Sequence, residues 1–71
     1  MTKTPRFDLT PREREVVRGV LAGHTNREIA RALGLTVQTV KNVLSMVYLK
    51  CHVRNRVELA LLALRHDRRS R

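Results

Sequence analysis

Apolar residues fall into four groups along the chain, each spaced at three or four positions and each preceded by a threonine or asparagine. Thr10-Pro11-Arg12-Glu13 offers a capping hydroxyl, a proline at the first helical position and a carboxylate at the far end of a capping box. This predicts a helix over 11–22, with Val16, Val17, Val20 and Leu21 on one face and Gly23 at the left-handed position that ends it. Thr25-Asn26-Arg27-Glu28 repeats the pattern, and Ile29, Ala30 and Leu33 form the inward stripe of a short helix stopped by Gly34. Thr36 then caps a third helix reaching Cys51, whose apolar positions Val37, Val40, Leu44, Val47, Tyr48 and Cys51 gather on one side. Asn55 with Glu58 offers another capping box, opening a helix over 56–65. Short helix, glycine turn, longer helix is the helix-turn-helix arrangement. With no alternating strand pattern, repeat or long linker, the expected fold is all-α: a compact four-helix domain over 9–65, an N-terminal arm over 1–8 and a basic tail over 66–71.

The fourth helix has two apolar faces. Val57, Ala60, Leu61 and Leu64 line one, and Leu59, Leu62 and Ala63 cluster nearly opposite. One face suffices for the core of a single chain. The other suggests a partner, most simply a second copy related by a two-fold axis. Leu59, Leu62 and Ala63 are assigned to this homodimer interface, although the pattern does not decide which face turns inward. The alternative is a helix buried on both sides, with the segment around Phe7 as the second cover.

Charge narrows the choice of partner. Fifteen Lys and Arg against six Asp and Glu give a formal net charge of +9 on 71 residues, which favours a polyanion. Nucleic acid is the first candidate, and an anionic membrane surface is the rival. No run approaches the roughly 20 apolar residues of a spanning helix, and the N-terminus lacks the apolar core of a signal peptide. A cytoplasmic, nucleoid-associated location is expected, with no membrane partner. The single Cys51 cannot form an internal disulfide, in keeping with a reducing compartment. His24, His52, His66 and Cys51 show no paired metal-ligand spacing. There is no glycine-rich phosphate cradle with its lysine, and a cysteine in an apolar stripe is a poor nucleophile. No metal, cofactor or catalysis is expected.

Projected at about 100° per residue, the third helix leaves Gln38, Thr39, Lys41, Asn42, Ser45, Met46, Leu49 and Lys50 away from its apolar stripe. Asn and Gln pair bidentately with an adenine edge, Lys donates to guanine O6 or N7, and Ser and Thr serve bases or phosphates. In a helix-turn-helix the early residues of the second helix enter the major groove. Gln38, Lys41, Asn42 and Ser45 are therefore the expected base readers. Thr25, Asn26, Arg27, Thr36, Thr39 and Lys50 are the expected backbone anchors, helped by free amides at the helix starts. The threonines and Asn55 are helix caps first, so they are given no base specificity.

Several motifs, in order, then point to one family. Leu9-Thr10-Pro11-Arg12-Glu13-Arg14-Glu15-Val16, Thr25-Asn26-Arg27-Glu28-Ile29-Ala30, Thr39-Val40-Lys41-Asn42 and Arg54-Asn55-Arg56-Val57-Glu58-Leu59-Ala60 closely resemble the LuxR-type helix-turn-helix domain, over about Leu9 to Leu64. The resemblance implies a four-helix domain, a recognition helix over Val37 to Cys51, and promoter binding as a dimer through the last helix. Such domains usually end a longer response regulator or quorum-sensing receptor; small free-standing members, such as spore-formation regulators, also occur, and this chain reads as one of those. Where the family often has His, Asn, Arg and Leu, this chain has Val43, Met46, Leu49 and Cys51. Met46 and Leu49 lie on the presumed DNA side, where contact with thymine methyls, contact with a protein and simple exposure to solvent are all open.

The expected function is sequence-specific binding of double-stranded DNA by a transcription regulator acting as a homodimer. The alternative is a small interaction protein that pairs with a larger related regulator; RNA polymerase is a further candidate partner. General binding to nucleic acid by charge is a third reading, but Phe7 and Tyr48 are the only aromatics, so stacking on unpaired bases has little support. With no room for a receiver or ligand-sensing domain, control is expected through abundance, dimer concentration or a partner.

Overall fold

Every α-helix leaves its first amides without partners inside the helix, and this chain supplies them from side chains at four places. The computed structural model describes residues 8–69 and contains α1 (Pro11–Leu21), α2 (Asn26–Leu33), α3 (Val37–Cys51) and α4 (Arg56–Arg69), with no strand among the described residues. At Thr10 the hydroxyl accepts from the Glu13 N–H at 3.1 Å, while the Thr10 N–H donates to the Glu13 carboxylate at 2.8 Å. Thr25 and Glu28 form the same reciprocal pair, at 3.1 and 2.8 Å. Thr36 accepts from the Thr39 N–H at 3.0 Å. At the fourth start only half of the expected box forms. Asn55 accepts from the Glu58 N–H at 2.9 Å, but the Glu58 carboxylate reaches one residue further back, to the Arg54 N–H, at 2.7 Å.

The helix ends are equally local. Gly23 (φ 87°) and Gly34 (φ 71°) take the left-handed conformation beyond α1 and α2, and His52 (φ 58°) takes it beyond α3. Residues after each turn bond back to the departing helix: His24 to the Gly19 carbonyl, Leu35 to that of Ala30 and Val53 to that of Tyr48. The first helix ends one residue earlier than predicted. The fourth runs to Arg69, so residues 66–69, expected in a tail, are helical. Residues 1–7 of the expected arm over 1–8, including Phe7, and residues 70–71 lie outside the described residues.

α3 packs against both α1 and α2, and α4 closes on α1. The core they enclose consists of Leu9, Val16, Val20, Ile29, Ala30, Val40, Leu44, Val47, Cys51 and Leu59. In α3 the buried residues lie within a narrow stripe, because steps of four, three and four keep returning to one side of the helix. Two expected core residues fall outside. Leu21, rotated about 140° from Val16, is exposed, as is Val37, at the edge of the α3 stripe and in its first turn. Glu13, expected only as a capping group, is buried.

The two faces of α4 separate clearly. Leu59 is only 1 % exposed, and Leu62 packs against the core. Val57, Leu61 and Leu64 are exposed, Leu61 to 54 %. The assignment of Leu59 to a dimer interface is therefore corrected: burial against the other helices leaves it no surface to share, whereas Leu62 is only partly buried. Ala63, beside them, is half-buried. At about 100° per residue, Val57, Leu61 and Leu64 fall within about 60° of one another, directly opposite Leu59.

Candidate nucleic-acid interface

The face of α3 opposite the core stripe carries the candidate readers. Gln38, Lys41, Asn42 and Ser45 are all exposed. Their positions follow from the stripe itself: fixing Val40, Leu44, Val47 and Cys51 inward turns Gln38, Asn42, Ser45 and Leu49 to the far side. Gln38 Nε2 donates to Asn42 Oδ1 at 3.0 Å, and Ser45 Oγ donates to the Lys41 carbonyl at 3.1 Å. The Ser45 hydroxyl thus has its hydrogen engaged by its own helix and offers its oxygen as an acceptor. Met46 and Leu49 continue this surface toward the end of the helix, with Leu49 70 % exposed.

The candidate anchors surround the starts of α2 and α3. Thr25, Arg27, Thr36 and Thr39 are exposed and Asn26 is half-buried. Thr36 and Thr39 are joined hydroxyl to hydroxyl at 2.9 Å, so only part of their hydrogen-bonding capacity remains for a ligand. Thr25 keeps its hydroxyl hydrogen after accepting the Glu28 amide. Hydrogen bonding from the Thr25 backbone N–H holds the Glu28 carboxyl below the usual carboxylate range. Glu28 therefore stays charged beside the amides that a phosphate would approach.

Lys50 does not stand among the anchors. Its Nζ lies 2.8 Å from Glu13 Oε1 and 3.1 Å from Oε2, on the flank of α3 that meets α1. Burial pushes the Glu13 carboxyl up, but the hydrogen bond and charge of Lys50 together with the Thr10 N–H and hydroxyl outweigh it, leaving Glu13 below its ordinary value. The Glu13 carboxylate sets an opposite charge against the Lys50 ammonium, which weakens its attraction for phosphate. Lys50, expected as a backbone anchor, is thus engaged with α1 within the domain.

Arg56, not singled out from the sequence, ties α4 to the start of α2. Its Nη1 donates to Asn26 Oδ1 at 2.9 Å and its Nη2 to the His24 carbonyl at 2.8 Å. Asn26 keeps its amide hydrogens for a ligand. No local signal announces this link, because the partners are 30 and 32 residues apart.

A short capped helix, a glycine turn and a longer helix with an outward polar face define a helix-turn-helix domain. The chain belongs to the family described as bacterial regulatory proteins, luxR family, whose model matches residues 8–63. Among relatives, the two-component response regulator PprB of Pseudomonas aeruginosa is 47 % identical over 53 residues, 75 % of this chain and 19 % of that protein. The response regulator protein VraR of Staphylococcus aureus is 36 % identical over 59 residues, 83 % of this chain and 28 % of that protein. The uncharacterized transcriptional regulatory protein YhcZ of Bacillus subtilis is 35 % identical over 65 residues, 92 % of this chain and 30 % of that protein. The chain thus spans less than a third of each of these relatives. No helix among the described residues is long and apolar enough to cross a membrane.

Proposed function

We propose that the chain regulates transcription by reading double-stranded DNA with α3, as a homodimer joined through the exposed face of α4. The observation that carries this reading is the outward row of Gln38, Lys41, Asn42 and Ser45 on the second helix of the helix-turn-helix. These side chains have the donors and acceptors that distinguish bases in the major groove, and the net charge of +9 supplies sequence-independent attraction. Thr25, Asn26, Arg27, Thr36 and Thr39 serve the phosphate backbone in this arrangement. Val57, Leu61 and Leu64 form the self-complementary apolar contact, replacing the buried Leu59. The reading places the protein with DNA in the cytoplasm.

In vitro selection from random duplexes at two salt concentrations tests it. A defined site is expected, and Lys41→Ala or Asn42→Ala weakens preference for that site with helix content unchanged. Retention of the full preference by both variants overturns the assignment.

A second reading is supported by the exposure of Met46 and Leu49: the chain pairs with a larger related regulator or with RNA polymerase and modulates it. Copurification of such a partner, lost on Leu49→Glu, supports this reading. Tight specific DNA binding by the isolated protein with no such partner excludes it.

A further inference from the structure

Gln38 and Asn42 lie four residues apart on α3, so their side chains stand one above the other, and the 3.0 Å bond between them joins two exposed amides. Each amide carries an oxygen with two lone pairs and a nitrogen with two hydrogens. With Gln38 donating, Asn42 has spent one lone pair and keeps another, together with both of its hydrogens. Turning both amides over makes Asn42 the donor, and it then keeps one hydrogen and its whole oxygen. In either orientation the Asn42 amide retains a donor and an acceptor side by side, held in one plane by its neighbour.

Among the four bases, adenine alone presents an acceptor and a donor together on its major-groove edge, N7 beside the N6 amino group. Guanine shows two acceptors, cytosine a donor, and thymine an acceptor with a methyl group. We propose that Asn42 selects an adenine by donating to N7 and accepting from N6, and that Gln38 is the positioning residue that holds the Asn42 amide in that orientation before DNA arrives. The inference rests on the reading of α3 as a duplex-DNA reader and deepens it by naming the base. Of the other candidate readers, only Gln38 carries the same pair of functions, and its shared bond with Asn42 makes it the support of that amide. The Lys41 ammonium has donors only, and the Ser45 hydrogen is engaged with the Lys41 carbonyl. Fixing the amide in advance also removes the ordering of that side chain from the cost of binding.

Selection from random duplexes, repeated with Asn42→Ala and Gln38→Ala, tests the assignment directly. Both residues are exposed, and circular dichroism checks that each variant remains folded. The wild-type site should contain an adenine whose preference Asn42→Ala lowers by about 5- to 150-fold. Gln38→Ala should weaken preference at that same base pair, by a smaller factor, and leave the other positions unchanged. Replacing this adenine by 7-deazaadenine, which lacks N7, or by 2-aminopurine, which lacks the N6 amino group, should weaken wild-type binding but not binding by Asn42→Ala. An effect of Gln38→Ala at a different base pair would make it an independent reader and overturn the inference. So would a site in which Asn42→Ala alters preference for a base other than adenine. Failure of the wild type to enrich any sequence removes the DNA-reading proposal itself, and this inference with it.

Discussion

The Lys50 ammonium lies within 3.1 Å of both oxygens of the Glu13 carboxylate, joining the third helix to the first turn of the first. The same carboxylate closes the capping box with Thr10, so one buried group fastens a helix start and a helix-helix contact together. Glu13→Ala should therefore cost about 2 kcal/mol, combining loss of a cap with loss of charge-assisted hydrogen bonds. Lys50→Met should cost about 1 kcal/mol, because its side chain is 34 % exposed and water screens part of the attraction. Urea unfolding at neutral pH measures both.

The pH dependence follows from the lowered pKa of Glu13. Its unfolded value is near 4.5, and its folded value is lower, so the unfolded chain binds more protons between the two. The stabilisation is complete above about pH 4.5 and disappears as pH falls through the folded value. Glu28 contributes in the same direction. Glu13→Gln should flatten this acid limb in unfolding curves taken from neutral pH to about pH 3; an unchanged limb would show that Glu13 does not carry it.

DNA binding should distinguish Lys50 from Arg27. Each phosphate contact contributes about 0.9 to the slope of log affinity against log salt concentration. Arg27→Ala is expected to reduce the slope by about this amount. Lys50→Met should leave it unchanged, since its partner is Glu13. A reduced slope for Lys50→Met would return it to the phosphate anchors.

On α4 the prediction separates folding from assembly. Leu59→Ala should destabilise the domain by roughly 2–5 kcal/mol, because its side chain is fully enclosed. Leu61→Glu should change the stability of the single chain by only about 0.5 kcal/mol and shift sedimentation from dimer to monomer. Sedimentation unaffected by Leu61→Glu would exclude this face from the dimer contact.

Gly19 is expected to resist substitution although it lies inside α1. A Cβ there would stand 2.6 Å from Ile29 Cγ1 and 2.9 Å from Cδ1, and Ile29 is only 2 % exposed. Overpacking of about 1–3 kcal/mol outweighs the helix-propensity gain of about 0.5–1 kcal/mol from alanine. Gly19→Ala should thus lower the thermal midpoint, and combining it with Ile29→Val should recover part of the loss.

Much of this fold was legible because its decisive interactions span three to five residues. The Thr10, Thr25 and Thr36 caps, the left-handed turns at Gly23 and Gly34, and the stripe from Val40 to Cys51 all depend on neighbours along one helix. The outward placement of Gln38, Lys41, Asn42 and Ser45 followed too, because turning one face of α3 to the core turns the other to solvent. Local sequence could not assign Lys50, whose partner is 37 residues away, or reveal Arg56, whose link to Asn26 spans 30. Nor could it choose between the two apolar faces of α4, since burial of Leu59 and exposure of Leu61 depend on where α1 and α3 lie. Periodicity determined which residues share a face; only packing of the helices decided what each face meets.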